Sequence, residues 1–293
     1  MAVLGLGGSG HDWSSCATDG TRLVAVDEER IVRKKYGVGT DLLSGLSRRA
    51  CLDNFGLSAK SVPHAVACDL VPRPFYYSFR DRVTIINHHM AHAYSAFPAS
   101  GFAEAAVLVS DNSGSLVHGS VTGSSSRVVE TITYFMADAN GIRVLDKVVG
   151  AHYLDGTSES DYYQPGITDN SLGHFYRAAS LAVNLKYTAS ASTFPISEDG
   201  KTMGLAPYGD ERFIDQVADL VELQPGGAVR IEGSKSRGRL SGSPRADRSK
   251  TAPGWLARPR RCSNARCCIA RTHCTRGRAR RISASPAGLA SIA

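Results

Sequence analysis

Residues 2–27 read AVLGLGGSGHDWSSCATDGTRLVAVD, and this opening stretch decides the fold class. The apolar residues 2–7 predict a buried strand, and two further short strands are predicted at residues 14–17 and 23–27. Asp19-Gly20 is a tight-turn dipeptide that joins the second and third strands. The chain therefore opens as a group of three consecutive strands.

Beyond this opening, strands and helices alternate in groups along the chain. Strands are predicted at 65–68, 83–86, 105–110, 116–121, 128–135 and 142–149, and helices at 42–50, 88–97, 171–185 and 211–223. Asn140-Gly141 is a predicted turn, and the polar residues 151–170 are a predicted active-site loop or lid. Because consecutive strands come in groups with helices between the groups, the sequence predicts an α/β domain with a mixed sheet.

The 293-residue chain has a formal net charge of +7, but that charge is unevenly divided. Residues 1–231 contain 19 Lys and Arg against 25 Asp and Glu, whereas residues 232–293 contain 15 against 2. This division excludes a basic groove along the whole protein and argues against a nucleic-acid partner for the acidic part. We divide the chain accordingly into a globular domain, 1–231, and an Arg-rich tail, 232–293.

The tail has the composition of a segment that cannot form a core. It contains seven bulky apolar residues among 62, so it is predicted to be disordered. One alternative is a zinc site, although the spacing of its candidate ligands matches no standard motif: Cys262, Cys267, Cys268, His273 and Cys274. A second alternative is a nucleic-acid-binding arm. The favoured hypothesis is out-of-frame translation of GC-rich DNA after a frameshift near residue 232.

The globular domain lacks the features of membrane and secreted proteins. It has no run of about 18 apolar residues, and its first residues do not resemble a signal peptide. Cys16, Cys51 and Cys68 are an odd number of cysteines and build no disulfide framework. We therefore expect a cytoplasmic protein with no membrane partner.

The sharpest chemical signal is the stretch Ile85-Ile86-Asn87-His88-His89-Met90-Ala91-His92. A helix that starts near Asn87 places His88 and His92 four residues apart on one face, where two imidazoles can bind one metal ion. His89 and His92 are an alternative pair, and a hydrogen-bonded histidine cluster without metal is another. No Glu lies between the histidines, so metalloprotease chemistry is not implied.

Asp111 is a third candidate ligand, at the end of the apolar strand predicted at 105–110. A carboxylate at a strand end followed by small residues suits a metal or phosphate corner, so Asn112 and Gly114 are candidate cofactor contacts. The alternative is an Asx turn that opens a hairpin.

Together these residues resemble the O-carbamoyltransferases of nodulation-factor and antibiotic biosynthesis. The resemblance follows the chain in order along nearly all of residues 1–231, and no single motif carries it alone. Its pieces are Gly10-His11-Asp12, Val26-Asp27-Glu28-Glu29-Arg30, the histidine stretch 87–92 with Ser95-Ala96-Phe97, Ser100-Gly101-Phe102, residues 107–111, Ser171-Leu172-Gly173 and the run 200–209, Gly-Lys-Thr-Met-Gly-Leu-Ala-Pro-Tyr-Gly.

The resemblance implies a fold of the actin/sugar-kinase/heat-shock-ATPase group, with two ribonuclease-H-like halves around a nucleotide cleft. In this family a separate YrdC-like domain makes carbamoyl adenylate from carbamoyl phosphate and ATP. The N-terminal domain then transfers the carbamoyl group to a hydroxyl of a small natural-product acceptor. An iron-like divalent metal assists by holding the adenylate phosphate.

Site residues follow from the resemblance position by position. His88, His92 and Asp111 match the metal ligands, and His11 matches a histidine implicated in the transfer step, where an imidazole suits general-base work. Lys201 and Gly204 lie in the family's glycine-rich loop and are expected to contact the cofactor.

This chain also departs from the family pattern. The family's domain continues past residue 231, so we expect an incomplete second half, a missing fourth metal ligand and no YrdC-like module. The expected consequence is a poorly soluble chain that is inactive from carbamoyl phosphate. Two alternatives stay open, namely another ATP-dependent enzyme of the same fold and a non-catalytic metal- or partner-binding protein.

Overall fold

The computed structural model describes residues 2–9, 12–37, 41–117, 126–153, 167–187, 196–225 and 228–232. The predictions for His11, for the basic tail after Glu232 and for most of the loop 151–170 lie outside these residues. Within the described part of the chain, no helix has both the length and the apolar character needed to cross a membrane.

The first sheet has five strands and a mixed pattern, as the sequence predicted. They are β1 (Val3–Gly7), β2 (Ser14–Thr18), β3 (Leu23–Asp27), β4 (His64–Cys68) and β5 (Val83–Ile86), in the order β3-β2-β1-β4-β5. β1, β2 and β3 are antiparallel, whereas β4 lies parallel to β1 and β5 parallel to β4. This order is that of a ribonuclease-H-like half.

Three short helices complete this half: α1 (Glu28–Val32), α2 (Leu46–Asp53) and α3 (Arg73–Tyr76). α2 begins at Leu46 and not at Leu42 as predicted, because its first turn is capped by a buried side chain from α1. The Glu28 carboxylate accepts the N–H groups of Leu46 at 2.9 Å and Ser47 at 2.7 Å. The core beneath the sheet is apolar and includes Leu4, Leu6, Trp13, Ala65, Phe75 and Phe79.

The second sheet is antiparallel and repeats the meander with which the first sheet begins. Its strands are β6 (Ala105–Ser110), β7 (Ser126–Asp138), β8 (Gly141–Tyr153) and β9 (Ile167–Thr168), in that order. The predicted turn at Asn140-Gly141 joins β7 to β8. Of the strand predicted at 116–121, Leu116 forms a single bridge to Val129, and residues 118–121 lie outside the described part.

α4 (His88–Ala96) connects the two sheets, because it follows β5 and precedes β6. Its buried Ala93 packs with Val109 of β6 and Phe135 of β7. The remaining elements are α5 (Leu172–Ala182), β10 (Lys186–Tyr187), β11 (Ile196–Ser197), α6 (Asp199–Leu205), α7 (Ile214–Ala218), β12 (Glu222–Leu223) and β13 (Val229–Arg230). The helix predicted at 211–223 is wrong in length, since α7 covers its middle and β12 its end.

The architecture is therefore the predicted α/β class, a ribonuclease-H-like sheet followed by a second meander. Among the described residues, β6 pairs with β7 and has no strand on its other side, where β1 of the first sheet has β4. That the second half is incomplete stays a prediction.

Candidate metal centre

The first residue of α4 determines which histidine side chains lie on the same face of this helix. Asn87 is the N-cap of α4, and its side-chain oxygen accepts the N–H of Met90 at 3.0 Å. His88 is therefore the first helical residue, and His92 follows one turn later on the same side.

His88, His92 and Asp111 converge on one point. His88 Nε2 lies 2.9 Å from Asp111 Oδ2 and 3.1 Å from His92 Nε2. His92 Nε2 lies 3.8 Å from the same Asp111 oxygen. Within the described residues, this is the one group of three His, Cys, Asp or Glu side chains close enough to share a metal ion.

His89 points away from this cluster, so the alternative pair of His89 with His92 does not form. Its side chain is fully buried, and Nδ1 lies 2.7 Å from the Thr133 hydroxyl of β7. Burial lowers the pKa of His89 to about 4, so this imidazole is neutral at pH 7.

The donor set fits a metal ion. Bonds of about 2.1 Å that meet near right angles separate neighbouring ligand atoms by about 3 Å. Two of the three distances, at 2.9 and 3.1 Å, match that separation, and the third is 3.8 Å. Two imidazoles and one carboxylate are also a donor set that binds iron in proteins.

Without a metal ion, the cluster holds a proton. Burial disfavours a charged His88, but its hydrogen bond to Asp111 and an interaction with Cys68 outweigh burial and raise the pKa of His88 to about 10. Burial alone would raise the pKa of Asp111, but the hydrogen bond from His88 holds that pKa well below its usual value. The metal-free cluster is therefore an imidazolium–carboxylate pair at pH 7.

The chain that follows Asp111 is tightly packed. Ser171, the N-cap of α5, places its hydroxyl 3.0 Å from the Asp111 carbonyl oxygen and 2.8 Å from that of Asn112. A side chain at Gly173 would collide with the Asn112 backbone, and one at Gly114 would collide with the His89 ring. These close approaches favour glycine at 114 and 173. The predicted cofactor contact of Gly114 stays a prediction.

Asn112 keeps its candidate role as a cofactor contact. Its side-chain Oδ1 is buried, and no hydrogen-bond partner lies within the described residues. A buried acceptor without a partner beside a candidate metal centre is the kind of group that a ligand satisfies.

Lys201 and Gly204 lie on α6 and make no hydrogen bond or ion pair to the cluster among the described residues. The Lys201 ammonium lies 2.6 Å from Glu198 Oε2, and Lys35 bonds the other oxygen of the same carboxylate. Among the described residues outside its own turn of helix, no atom lies within 4 Å of the position that a Cβ at Gly204 would take. Their predicted contacts with the cofactor stay predictions.

His11 lies outside the described residues, but the strand before it leads toward the cluster. The Gly8 carbonyl, just after β1, lies 3.7 Å from Cys68 Sγ at the end of β4. Cys68 in turn interacts with the His88 imidazole. The carboxyl ends of β1 and β4 and the start of α4 therefore meet, as ligand sites in such sheets do.

Sequence reasoning missed two buried polar residues at the site. Ser115 Oγ accepts the His88 N–H at 2.9 Å and donates to Asp69 Oδ1 at 2.8 Å. Glu130 is buried in β7 and accepts a hydrogen bond from Asn87 at 2.9 Å. A charged residue inside the apolar run 128–135 was the available signal for Glu130.

Two solved structures are distantly similar to this chain. YeaZ from Pseudomonas aeruginosa is 12% identical at a TM-score of 0.33, over 55% of this chain and 71% of that one. The Ppx/GppA phosphatase of Aquifex aeolicus is 13% identical at a TM-score of 0.25, over 51% of each chain.

Sequence comparisons give relatives of higher identity. The nodulation protein NolO of Bradyrhizobium diazoefficiens is 27% identical over 147 residues, which cover 50% of this chain and 20% of NolO. The nodulation protein NolNO of Sinorhizobium fredii is 26% identical over 152 residues, which cover 51% of this chain and 16% of NolNO. The chain thus spans about a fifth or less of these two relatives.

A third relative and a family model extend the match. An uncharacterised protein of Synechocystis sp. is 25% identical over 277 residues, 78% of this chain and 38% of that protein. The family model described as the carbamoyltransferase N-terminus matches residues 74–237, a span that contains the whole histidine–aspartate cluster. Because this model covers more than half of the chain, the protein belongs to the carbamoyltransferase N-terminal family.

Proposed function

We propose that this chain is the acceptor-carbamoylating domain of an O-carbamoyltransferase. It would transfer a carbamoyl group from carbamoyl adenylate to a hydroxyl of a small natural-product acceptor in the cytoplasm. One observation carries the proposal: the segment matched by the carbamoyltransferase model places His88, His92 and Asp111 within 4.8 Å of one another. A sugar kinase of the same fold does not require such a histidine pair.

The three side chains would hold a divalent, iron-like metal ion. Such an ion, when bound, supplies positive charge that neutralises the phosphate leaving group of a mixed anhydride. Asp111 and Asn112 form one corner of the site, and the buried Oδ1 of Asn112 offers an acceptor to a bound ligand. Lys201, which is exposed on α6, is the proposed second positive charge for the adenylate phosphate.

The transfer step needs a base for the acceptor. The acceptor oxygen forms a bond to the carbamoyl carbon, the bond between that carbon and the phosphate oxygen breaks, and AMP leaves. The hydroxyl proton passes to His11, because the ordinary pKa of an imidazole suits general-base catalysis near pH 7. Such a base typically contributes about 10²- to 10⁴-fold in rate.

Carbamoyl adenylate is the substrate that the chain must receive. The nodulation relatives are at least about five times as long as the matched segment, so we assign adenylate synthesis to a YrdC-like module outside residues 1–231. That module would use carbamoyl phosphate and ATP.

A reconstitution tests the proposal. The purified chain, Fe²⁺ under anaerobic conditions, a separately produced YrdC-like domain, carbamoyl phosphate and ATP are incubated with a panel of hydroxylated small molecules. Mass spectrometry then follows the gain of one carbamoyl group. We expect a product that requires both proteins and is lost in His88→Ala.

The matched control is His64→Ala, which removes an imidazole of β4 bonded to Thr84 and not to the cluster. This variant should retain activity. Fe²⁺ binding without any carbamoylated product would contradict the transfer proposal and favour the metal-binding alternative. Failure of the wild-type chain to bind Fe²⁺ would contradict the metal site itself.

A further inference from the structure

Glu130 is a charged residue at a buried position. It lies within β7, and its side chain is only 4% exposed. A buried carboxylate costs free energy unless hydrogen bonds or opposite charges compensate it. Three groups surround Glu130: the Asn87 amide, the Lys147 ammonium of β8 and, at 3.7 Å, the His89 imidazole.

The bond to Asn87 fixes the orientation of the amide that caps the histidine helix. Asn87 Nδ2 donates to Glu130 Oε2 at 2.9 Å, and its Oδ1 accepts the Met90 N–H at 3.0 Å. A carboxylate accepts only, so Glu130 selects the amide's nitrogen end and leaves its oxygen end for the helix. The cap is therefore held from outside the helix.

The backbone of Glu130 holds the corner after Asp111 at the same time. Its carbonyl accepts the Gly114 N–H at 2.7 Å, and its N–H donates to the Ser115 carbonyl at 3.0 Å. Ser115 Oγ then accepts the N–H of His88. One residue thus contacts both the element that carries the histidines and the segment that follows the aspartate.

This double contact matters because the metal ligands come from different elements. His88 and His92 move with α4, whereas Asp111 moves with the end of β6. We propose that Glu130 is a positioning residue, which holds α4 against the corner 111–115 through Asn87 and so sets the spacing of the three ligands. The inference rests on the metal centre of the proposed function.

Lys147 does not account for the buried carboxylate by itself. An ion pair between Lys147 and Glu130 would need only one carboxylate oxygen, and Lys147 bonds Oε1. The other oxygen accepts the hydrogen bond from Asn87 and so links Glu130 to α4.

Two variants test the link. Asn87→Ser keeps a side-chain oxygen that caps a helix well, but it removes the donor to Glu130. Glu130→Gln makes the side chain neutral and gives it one acceptor for two donors. The affinity for Co²⁺, measured by calorimetry and by the visible spectrum of the bound ion, is the readout. We expect both variants to bind Co²⁺ about 10- to 100-fold more weakly, with altered spectra.

The matched control is Glu28→Gln. Glu28 is an equally buried carboxylate that caps α2 in the first half, far along the chain from the ligands. This variant should lower the melting temperature and leave the Co²⁺ affinity and spectrum unchanged. Wild-type affinity and spectrum in Asn87→Ser and Glu130→Gln would overturn the inference, as would an equal loss of affinity in Glu28→Gln. Absence of Co²⁺ binding by the wild-type chain would instead overturn the metal centre.

Discussion

The two sheets begin with the same antiparallel meander but bury different kinds of side chain. The first sheet covers one large apolar core that includes Leu4, Phe75 and Phe79. The second sheet packs on smaller apolar clusters, such as Ile132 with Val148, and it buries polar residues along β7. Glu130, Thr131 and Thr133 lie within four residues of that strand, and all are buried.

This difference separates stability from chemistry within one chain. Apolar burial stabilises a fold in proportion to the area removed from water, so the large core of the first half should contribute more than any one of the smaller clusters. Buried polar groups add little net stability, but they hold side chains in one orientation. The second half uses them around Asp111 and the histidine helix, where orientation decides whether three ligands meet.

The largest expected effect is the loss of stability when a buried apolar side chain is removed, and it should differ between the two cores. Phe75→Ala removes a fully buried ring from the large core and should lower the free energy of unfolding by about 3–5 kcal/mol. Ile132→Ala should fall near the lower end of about 2–5 kcal/mol, because half-buried neighbours such as Tyr134 can close the cavity. Urea denaturation measures both.

Tyr208→Ala is the control for this comparison, since its ring is 74% exposed and its removal should leave the midpoint unchanged. A larger loss for Ile132→Ala than for Phe75→Ala would reverse the assignment of stability to the first half.

The next expected effect is a pH dependence of stability. It arises from two neighbouring histidines of α4, the helix that connects the two sheets. In the metal-free protein, His88 has its pKa raised to about 10, whereas His89 has its pKa lowered to about 4. Protonated His88 therefore stabilises the fold fully below its ordinary pKa of 6.5, and this contribution is lost as the pH rises toward 10. Neutral His89 acts oppositely, since its contribution is lost as the pH falls from 6.5 toward 4.

The affinity for a metal ion should depend on pH, because His88 must lose its proton to bind the ion. A ligand must be deprotonated, so Co²⁺ binding releases that proton, and the affinity should rise by about tenfold per pH unit between pH 6 and 8. Histidine-ring NMR titration, with His88→Gln and His89→Gln for assignment, measures the two pKa values. Titration of both rings together near 6.5 would contradict the opposed environments.

Part of this fold could be predicted from the sequence because the signals are local. The opening strands, the turn at Asp19-Gly20 and α5 depend on periodicity and turn residues that lie within a few positions. The start of α2 could not be predicted, because its cap is Glu28, which lies 18 residues before Leu46. The sequence does not show which carboxylate will fold back onto which helix.

The candidate site divides in the same way. The residue types and spacing of His88, His92 and Asp111 predict a shared ligand, and the structure brings these three side chains together. To predict that His88 and not His89 pairs with His92, one must know where α4 begins. The N-cap Asn87 determines that position. Glu130 and Lys147 were missed, because their pairing depends on the register of β7 and β8.

The smallest expected effect concerns Ser171, which ties α5 to the backbone at Asp111. Its hydroxyl accepts the His174 N–H at 2.9 Å and lies near the carbonyl oxygens of Asp111 and Asn112. Ser171→Ala removes an N-cap and should lower the free energy of unfolding by about 1 kcal/mol. If the second half serves orientation more than stability, the same variant should also weaken Co²⁺ binding, because the Asp111 backbone loses an anchor. Ser100→Ala removes an exposed hydroxyl that donates to the Phe97 carbonyl and accepts the Phe102 N–H, and it should leave the Co²⁺ affinity unchanged. A loss of stability in Ser171→Ala with wild-type Co²⁺ affinity would show that this contact belongs to the fold alone.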